Sequence, residues 1–133
     1  MSFDILQPEG WAKPVGYANG IAARGRVVFI AGQVGWNPET AQFDTDDFAE
    51  QSAQALRNIV AVLREAGAGP EHLVRMTWYV TDKAAYVASR RQVGQAWRDI
   101  LGRRYPATTL VIVSALLEDR AQVEIEATAV VPE

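Results

Sequence analysis

The sequence predicts an α+β fold: one mixed sheet carrying both helices on one face, in the order ββαβαββ. Three observations carry this reading. Apolar residues recur at helical spacing in two separate segments, Leu73 to Thr81 alternates apolar and polar residues, and further strand-like runs lie on both sides of the helices. At 133 residues the chain suits one compact domain spanning 1–133.

Residues 16 to 24 and 26 to 34 read as two strands joined around Ala23-Arg24-Gly25-Arg26, a hairpin with Gly25 supplying the turn. In the second arm, Val27-Val28-Phe29-Ile30-Ala31 is apolar at every position, which predicts a strand covered on both faces. Gly32 ends that run, and Trp36-Asn37-Pro38-Glu39-Thr40 forms a loop. Asp47 with Glu50 three residues on has the spacing of a capping box, and Phe48, Leu56, Ile59, Val60 and Leu63 continue a helix to a stop at Gly67. In the next strand Val74, Met76, Trp78 and Val80 point one way while Arg75, Thr77, Tyr79 and Thr81 point the other. Residues 84 to 102 give the second helix, and residues 108 to 115 and 121 to 131 give the last two strands.

Composition removes several function classes. The chain has no cysteine, so disulfides, thiolate nucleophiles and cysteine-ligated metal sites are excluded, and a reducing compartment is compatible. Its one histidine, His72, falls in a loop leading into a strand and reads as a surface residue. A net charge of −3 offers no clustered cations for phosphates, which speaks against nucleic acid as a partner. The stretch Met1 to Pro8 lacks a cationic region followed by an apolar run, and no apolar segment is long enough to span a bilayer. The expectation is a cytoplasmic protein with no membrane partner. The glycines follow no phosphate-binding pattern, and neither a cofactor nor a metal is called for.

Two positions invite chemistry. On the last strand Gln122, Glu124, Glu126 and Thr128 share one face, so two carboxylates are neighbours, either on a solvated surface or in a cleft where one positions a water. In the second helix Arg90 falls inside an apolar stripe with Tyr86, Val93, Trp97, Ile100 and Leu101. It must snorkel, pair with a carboxylate or bind an anion. Trp78 and Trp97 sit in core periodicities, whereas Trp36 either lines a pocket or fills an interface.

Several pieces in this order resemble the YjgF/RidA family across nearly the full length. They are Gly16-Tyr17, Val28-Phe29-Ile30-Ala31-Gly32-Gln33 with Asn37-Pro38-Glu39-Thr40, Gln54 to Asn58 with Glu65-Ala66-Gly67, Val80-Thr81-Asp82, Tyr105-Pro106-Ala107, and Val123 to Ala127. The resemblance implies a chorismate-mutase-like subunit in a homotrimer, with ligand clefts between subunits and partner subunits covering the doubly apolar strand. Family enzymes resembling this chain hydrolyse enamines and imines to a keto acid and ammonia without a cofactor. In them an arginine two residues after the proline grips the substrate carboxylate as a bidentate pair; here that position is Thr108, and the segment from there to Glu124 is one residue longer than usual.

The resemblance further implies that Glu124 places the attacking water and that Tyr17, Gly32, Arg90 and Thr108 line the cleft, with Arg90 supplying the missing cation for a carboxylate-bearing small molecule. Two readings follow. One is a divergent enamine or imine acid deaminase similar to the 2-aminomuconate deaminase branch; the other is a non-catalytic small-molecule binder or sensor using the same cleft.

Overall fold

The computed structural model describes residues 3–133; Met1 and Ser2, part of the N-terminal stretch read above for a targeting signal, lie outside the described residues. Nine regular elements follow one another: β1 (Phe3–Leu6), β2 (Gly20–Ala23), β3 (Arg26–Val34), α1 (Phe48–Glu65), β4 (Leu73–Val80), α2 (Lys83–Ala88), α3 (Arg90–Leu101), β5 (Ala107–Ile112) and β6 (Val123–Val131). A four-stranded sheet runs β3-β6-β4-β5, antiparallel except for the parallel β4–β5 pair. It is the mixed sheet of the expected α+β fold.

The first helix starts and stops where its capping residues dictate. Asp47 accepts a hydrogen bond from the Glu50 amide at 3.0 Å. The Asp47 amide is satisfied by Thr45 Oγ1, so the reciprocal arm of the box comes from Thr45 and not from Glu50. At the other end Gly67 adopts φ 69°, and the Gly67 and Ala68 amides return to the Arg64 and Leu63 carbonyls, a Schellman stop. Leu56, Ile59 and Leu63 are fully buried against the sheet, each contributing about 2 kcal/mol by area removed from water.

Two expectations are corrected. The hairpin of 16–24 with 26–34 does not form: β2 pairs antiparallel with β1 in a separate two-stranded sheet, and β3 pairs with β6. Gly25, at φ 147° and close against the Val131 backbone, carries the chain from one sheet to the other without folding it back on itself. The second helix is two helices, broken at Ser89, whose amide closes α2 on the Ala85 and Tyr86 carbonyls. The break lets α3 bury Val93, Trp97 and Leu101. Within the protomer β3 is covered on one face, where Ile30 is buried, while Phe29 on the face expected to meet another subunit is 80% exposed.

Register assigns the two faces of the sheet. Met76, Trp78, Val80, Ile125 and Ala127 lie beneath the helices and form the core. The opposite, open face presents Phe29, Arg75, Tyr79, Glu124, Glu126 and Thr128. No helix among the described residues is long and apolar enough to cross a membrane.

Candidate functional site

The two neighbouring glutamates of β6 differ sharply in their surroundings. Tyr79, on β4 directly opposite Glu124, donates its hydroxyl to Glu126 Oε1 at 2.7 Å. That bond, with some burial and the nearby Glu126 and Glu124 charges, holds the Tyr79 hydroxyl above the usual tyrosine range. Glu126 is thus engaged. Glu124 is half-buried, and its carboxylate has no hydrogen-bond partner among the described residues.

Gly32 stands beside Glu124. A register shift in the β3–β6 ladder between Ile30 and Gln33 brings the glycine so near that an added methyl group would overlap the carboxylate. The lack of a side chain at Gly32 is what leaves room for this carboxylate, which lies where a Cβ would stand. Two buried amides on α1 fix the flanks. Asn58 donates to the Val34 and Trp36 carbonyls beyond the glycine. Gln51 donates to the Thr45 and Arg120 carbonyls and accepts from the Gln122 amide just before β6.

The other candidates gather on the helix side. Thr108 shares its β5 face with Leu110, since these residues lie opposite Met76 and Trp78, and its hydroxyl donates to the Pro106 carbonyl at 2.8 Å. Tyr17 reaches the same strand through its neighbour Ala18, whose amide donates to the Pro106 carbonyl. Tyr17 is 42% exposed and lines a cavity of about 220 Å³ with Phe3, Trp97, Arg104 and Pro106.

Arg90 is exposed, the snorkelling alternative of the three: at the first turn of α3 its guanidinium lies 5.7 Å from the centre of the Tyr86 ring. It lines a larger cavity, of about 510 Å³, together with Leu110 and Gly16. The cation and Thr108 accordingly occupy the same side of β5.

Within one protomer the candidates form two groups. Glu124 and Gly32 face the open side; Thr108 and Arg90 lie on the helix side, with β4 between β6 and β5. Strands stand about 4.8 Å apart, so some 10 Å and the thickness of the backbone separate the groups.

The remaining sequence candidates have structural roles. His72 Nδ1 accepts the Gly69 amide at 3.0 Å and closes a 3-10 turn. Trp36 packs against Phe43 within its own loop, ring centres 5.9 Å apart, and Trp78 and Trp97 are core residues. Among the described residues no group of three or more histidine, aspartate or glutamate side chains is arranged to hold a metal ion. Sequence reasoning overlooked Tyr79, although its position on the polar face of β4 was readable from the alternation. It had no means of finding Gln51 and Asn58, whose partners lie far away along the chain.

Residues 12–131 match the family model described as endoribonuclease L-PSP. A RutC family protein of Pyrococcus abyssi is 31% identical over 129 residues, covering 97% of this chain and 98% of that protein. The 2-iminobutanoate/2-iminopropanoate deaminase of Homo sapiens is 29% identical over 105 residues, 79% of this chain and 73% of the human protein. Among solved structures, YyfB of Yersinia pestis, described as a protein of unknown function of the conserved Rid family, superposes with a TM-score of 0.84 at 33% identity, covering 98% of this chain and 100% of that one.

Proposed function

This chain belongs to the endoribonuclease L-PSP family, that of the YjgF/RidA proteins, and on that footing we propose that it hydrolyses an enamine or imine acid, 2-aminomuconate-like, without a cofactor. The human relative's description as an imino acid deaminase supports this class of reaction. The observation that carries the reading is the unpartnered Glu124 carboxylate, seated in the place that Gly32 leaves free of a side chain.

In this mechanism an enamine is first protonated on carbon to its imine. Glu124 then takes a proton from a water whose oxygen bonds to the imine carbon, while the nitrogen gains a proton. The carbinolamine collapses, releasing ammonia and leaving the keto acid, with one water consumed overall. Arg90 supplies the cation for the substrate carboxylate, because Thr108 is neutral and its hydroxyl is already donated to Pro106.

The site is completed by a homotrimer of this single domain, the open sheet face of each copy meeting its neighbours. Its exposed Phe29, Val27 and Val111 are the apolar surface such an interface buries. Two further features oppose the RNA cleavage that the family's description suggests: the net charge is −3, and the single histidine is tied into a turn. The protein works in the cytoplasm on a small carboxylate. A second reading, a non-catalytic binding or sensing trimer, rests on the neutral Thr108 at the strand position.

The test is ammonia release from imino acids generated in place and from 2-aminomuconate, by wild type, Glu124→Gln, Arg90→Ala and Thr108→Arg. The deaminase reading expects Glu124→Gln to lose about 10²-fold or more, Arg90→Ala to raise KM, and Thr108→Arg to gain activity on short imines. No release by wild type from any of these substrates, with binding of a carboxylate ligand retained, establishes the second reading instead.

A further inference from the structure

We infer that the 220 Å³ cavity beneath the two-stranded sheet is a ligand site for one uncharged aromatic molecule of one or two fused rings. Glu124, Gly32, Arg90 and Thr108 take no part in its lining, so the inference stands apart from the deaminase reading.

The register of β1 on β2 builds the roof. Phe3 pairs with Ala23 and Ile5 with Ile21, so Phe3, Ile5 and Ile21 share one face of that sheet, and all three line the cavity. The floor is Leu73 at the start of β4, with Trp97 and Leu101 from the last turns of α3. Tyr105 stacks on Trp97, ring centres 5.6 Å apart and planes 17° from parallel, and both rings also line the 510 Å³ cavity. The two cavities share that flat aromatic wall.

The inside of the cavity calls for apolar contact and for nothing ionic. Trp97 Nε1 is already committed, donating to the Arg104 carbonyl at 3.2 Å. No buried side-chain nitrogen or oxygen among the described residues lacks a hydrogen-bond partner, so no orphaned group there holds a water in place. Glu71 and Arg103 are exposed and so lie at the rim, and the Arg104 guanidinium lies 4.6 Å from the centre of the Phe3 ring.

The lining is also unfilled. Ile5 lies on the roof's inward face yet is 64% exposed, and Tyr17 is 42% exposed. Covering such apolar surface is favourable, and an aromatic ring covers it best, because its pairs with Phe3, Tyr17, Trp97 and Tyr105 attract beyond their buried area. An apolar cavity of about 150 Å³ holds one benzene ring, so this one admits a single ring or a fused pair. The occupant has a mechanical effect as well. A two-stranded sheet is marginal by itself, and among the described residues β1 and β2 pair with no other strand. Just before β2 the Ala18 amide ties the chain to the Pro106 carbonyl at 3.1 Å. A ring between Ile21 and Leu101 adds a second tie, joining roof to floor.

The experiment uses indole as the probe and indole-3-acetate as its charged counterpart. Calorimetry on the full chain is expected to give one indole per chain with Kd below about 1 mM, and the acid no tighter than indole. Amide shifts in isotope-labelled protein should centre on β1, β2 and residues 97–106, and hydrogen exchange in β1 and β2 should slow by about tenfold at a tenfold excess of indole over Kd. Ile21→Trp fills the cavity from the roof and should weaken indole at least tenfold at unchanged circular dichroism. Absence of saturable binding at millimolar indole, shifts centred on Tyr86 and Leu110 of the other cavity, a tenfold preference for the acid, or full affinity in a folded Ile21→Trp protein overturns the inference. Where Ile21→Trp does not fold, the wild-type shift map and exchange rates decide.

Discussion

Gly32→Ala isolates the geometry of the acid from the presence of the acid. A Cβ built on Gly32 lies 2.8 Å from Glu124 Cδ and 3.0 Å from Cγ. Restoring an ordinary contact near 3.4 Å requires the carboxyl carbon to retreat by about 0.6 Å, and the overlapped oxygen by more. The backbone cannot make that adjustment cheaply, because β3 and β6 are paired on both sides of the shift. The half-buried Glu124 side chain swings instead. Since a misplacement on the order of 1 Å costs about 10²-fold in rate, Gly32→Ala should approach the activity of Glu124→Gln. Stability should change by less than about 1 kcal/mol, because a flexible side chain absorbs the clash and alanine is the better strand residue. Keto acid formation from an imino acid, measured beside urea unfolding, separates the two effects. Full activity in a properly folded Gly32→Ala protein refutes the assignment of the reacting centre to this carboxylate.

Two predictions concern the groups that hold the site. Gln51→Leu keeps the volume of a fully buried side chain but leaves two carbonyls and one amide without partners, so it should cost about 3 kcal/mol, seen as a lower urea midpoint at unchanged slope; a loss under 1 kcal/mol contradicts the role given to this amide. Tyr79→Phe should remove, from the four-tyrosine absorbance titration at alkaline pH, a component above the ordinary midpoint near 10. Because the folded-state pKa of Tyr79 is raised, its bond to Glu126 stabilises the fold fully below the unfolded-state value and ceases to do so as pH rises through the folded one. The stability gap between wild type and Tyr79→Phe should therefore be present at pH 8 and shrink above pH 10; a constant gap contradicts this linkage.

The sequence is most legible where structure is local. The limits of α1 follow from Asp47 and Gly67, and the two faces of β4 and β6 follow from simple alternation. Strand partnership is less legible, because pairing is decided by contacts distant in sequence. Residues 16–24 and 26–34 carry the signals of a hairpin, yet β2 joins β1, for which Gly25 and the strand Phe3–Leu6 are jointly responsible. The break at Ser89 was hidden for a related reason: Tyr86, Arg90, Val93 and Trp97 fit one helical stripe, and only the structure shows the helix interrupted at Ser89. For the site, the neighbouring glutamates were visible as a pair, while the difference between them was not. It depends on Tyr79 across the ladder and on Gly32 across the other, neither near Glu124 in sequence.

The fold gives the acid and the cation very different freedom. Glu124 lies on an interior strand, hydrogen-bonded to β3 on one side and β4 on the other, with Val123 and Ile125 anchored in the core. Its backbone has little room to shift, as a group that must place a water requires. Arg90 sits exposed at the start of a helix on a long side chain, where its head can move through several ångströms. A carboxylate clamp tolerates such latitude, because binding orientation can be met from more than one direction, whereas proton transfer cannot. On the proposed deaminase reading, the neutral Thr108 changes which acids the cleft accepts before it changes what the cleft can do to them. That asymmetry favours altered specificity over an idle pocket and makes Arg90, more than Glu124, the residue to vary when the proposed substrate range is tested.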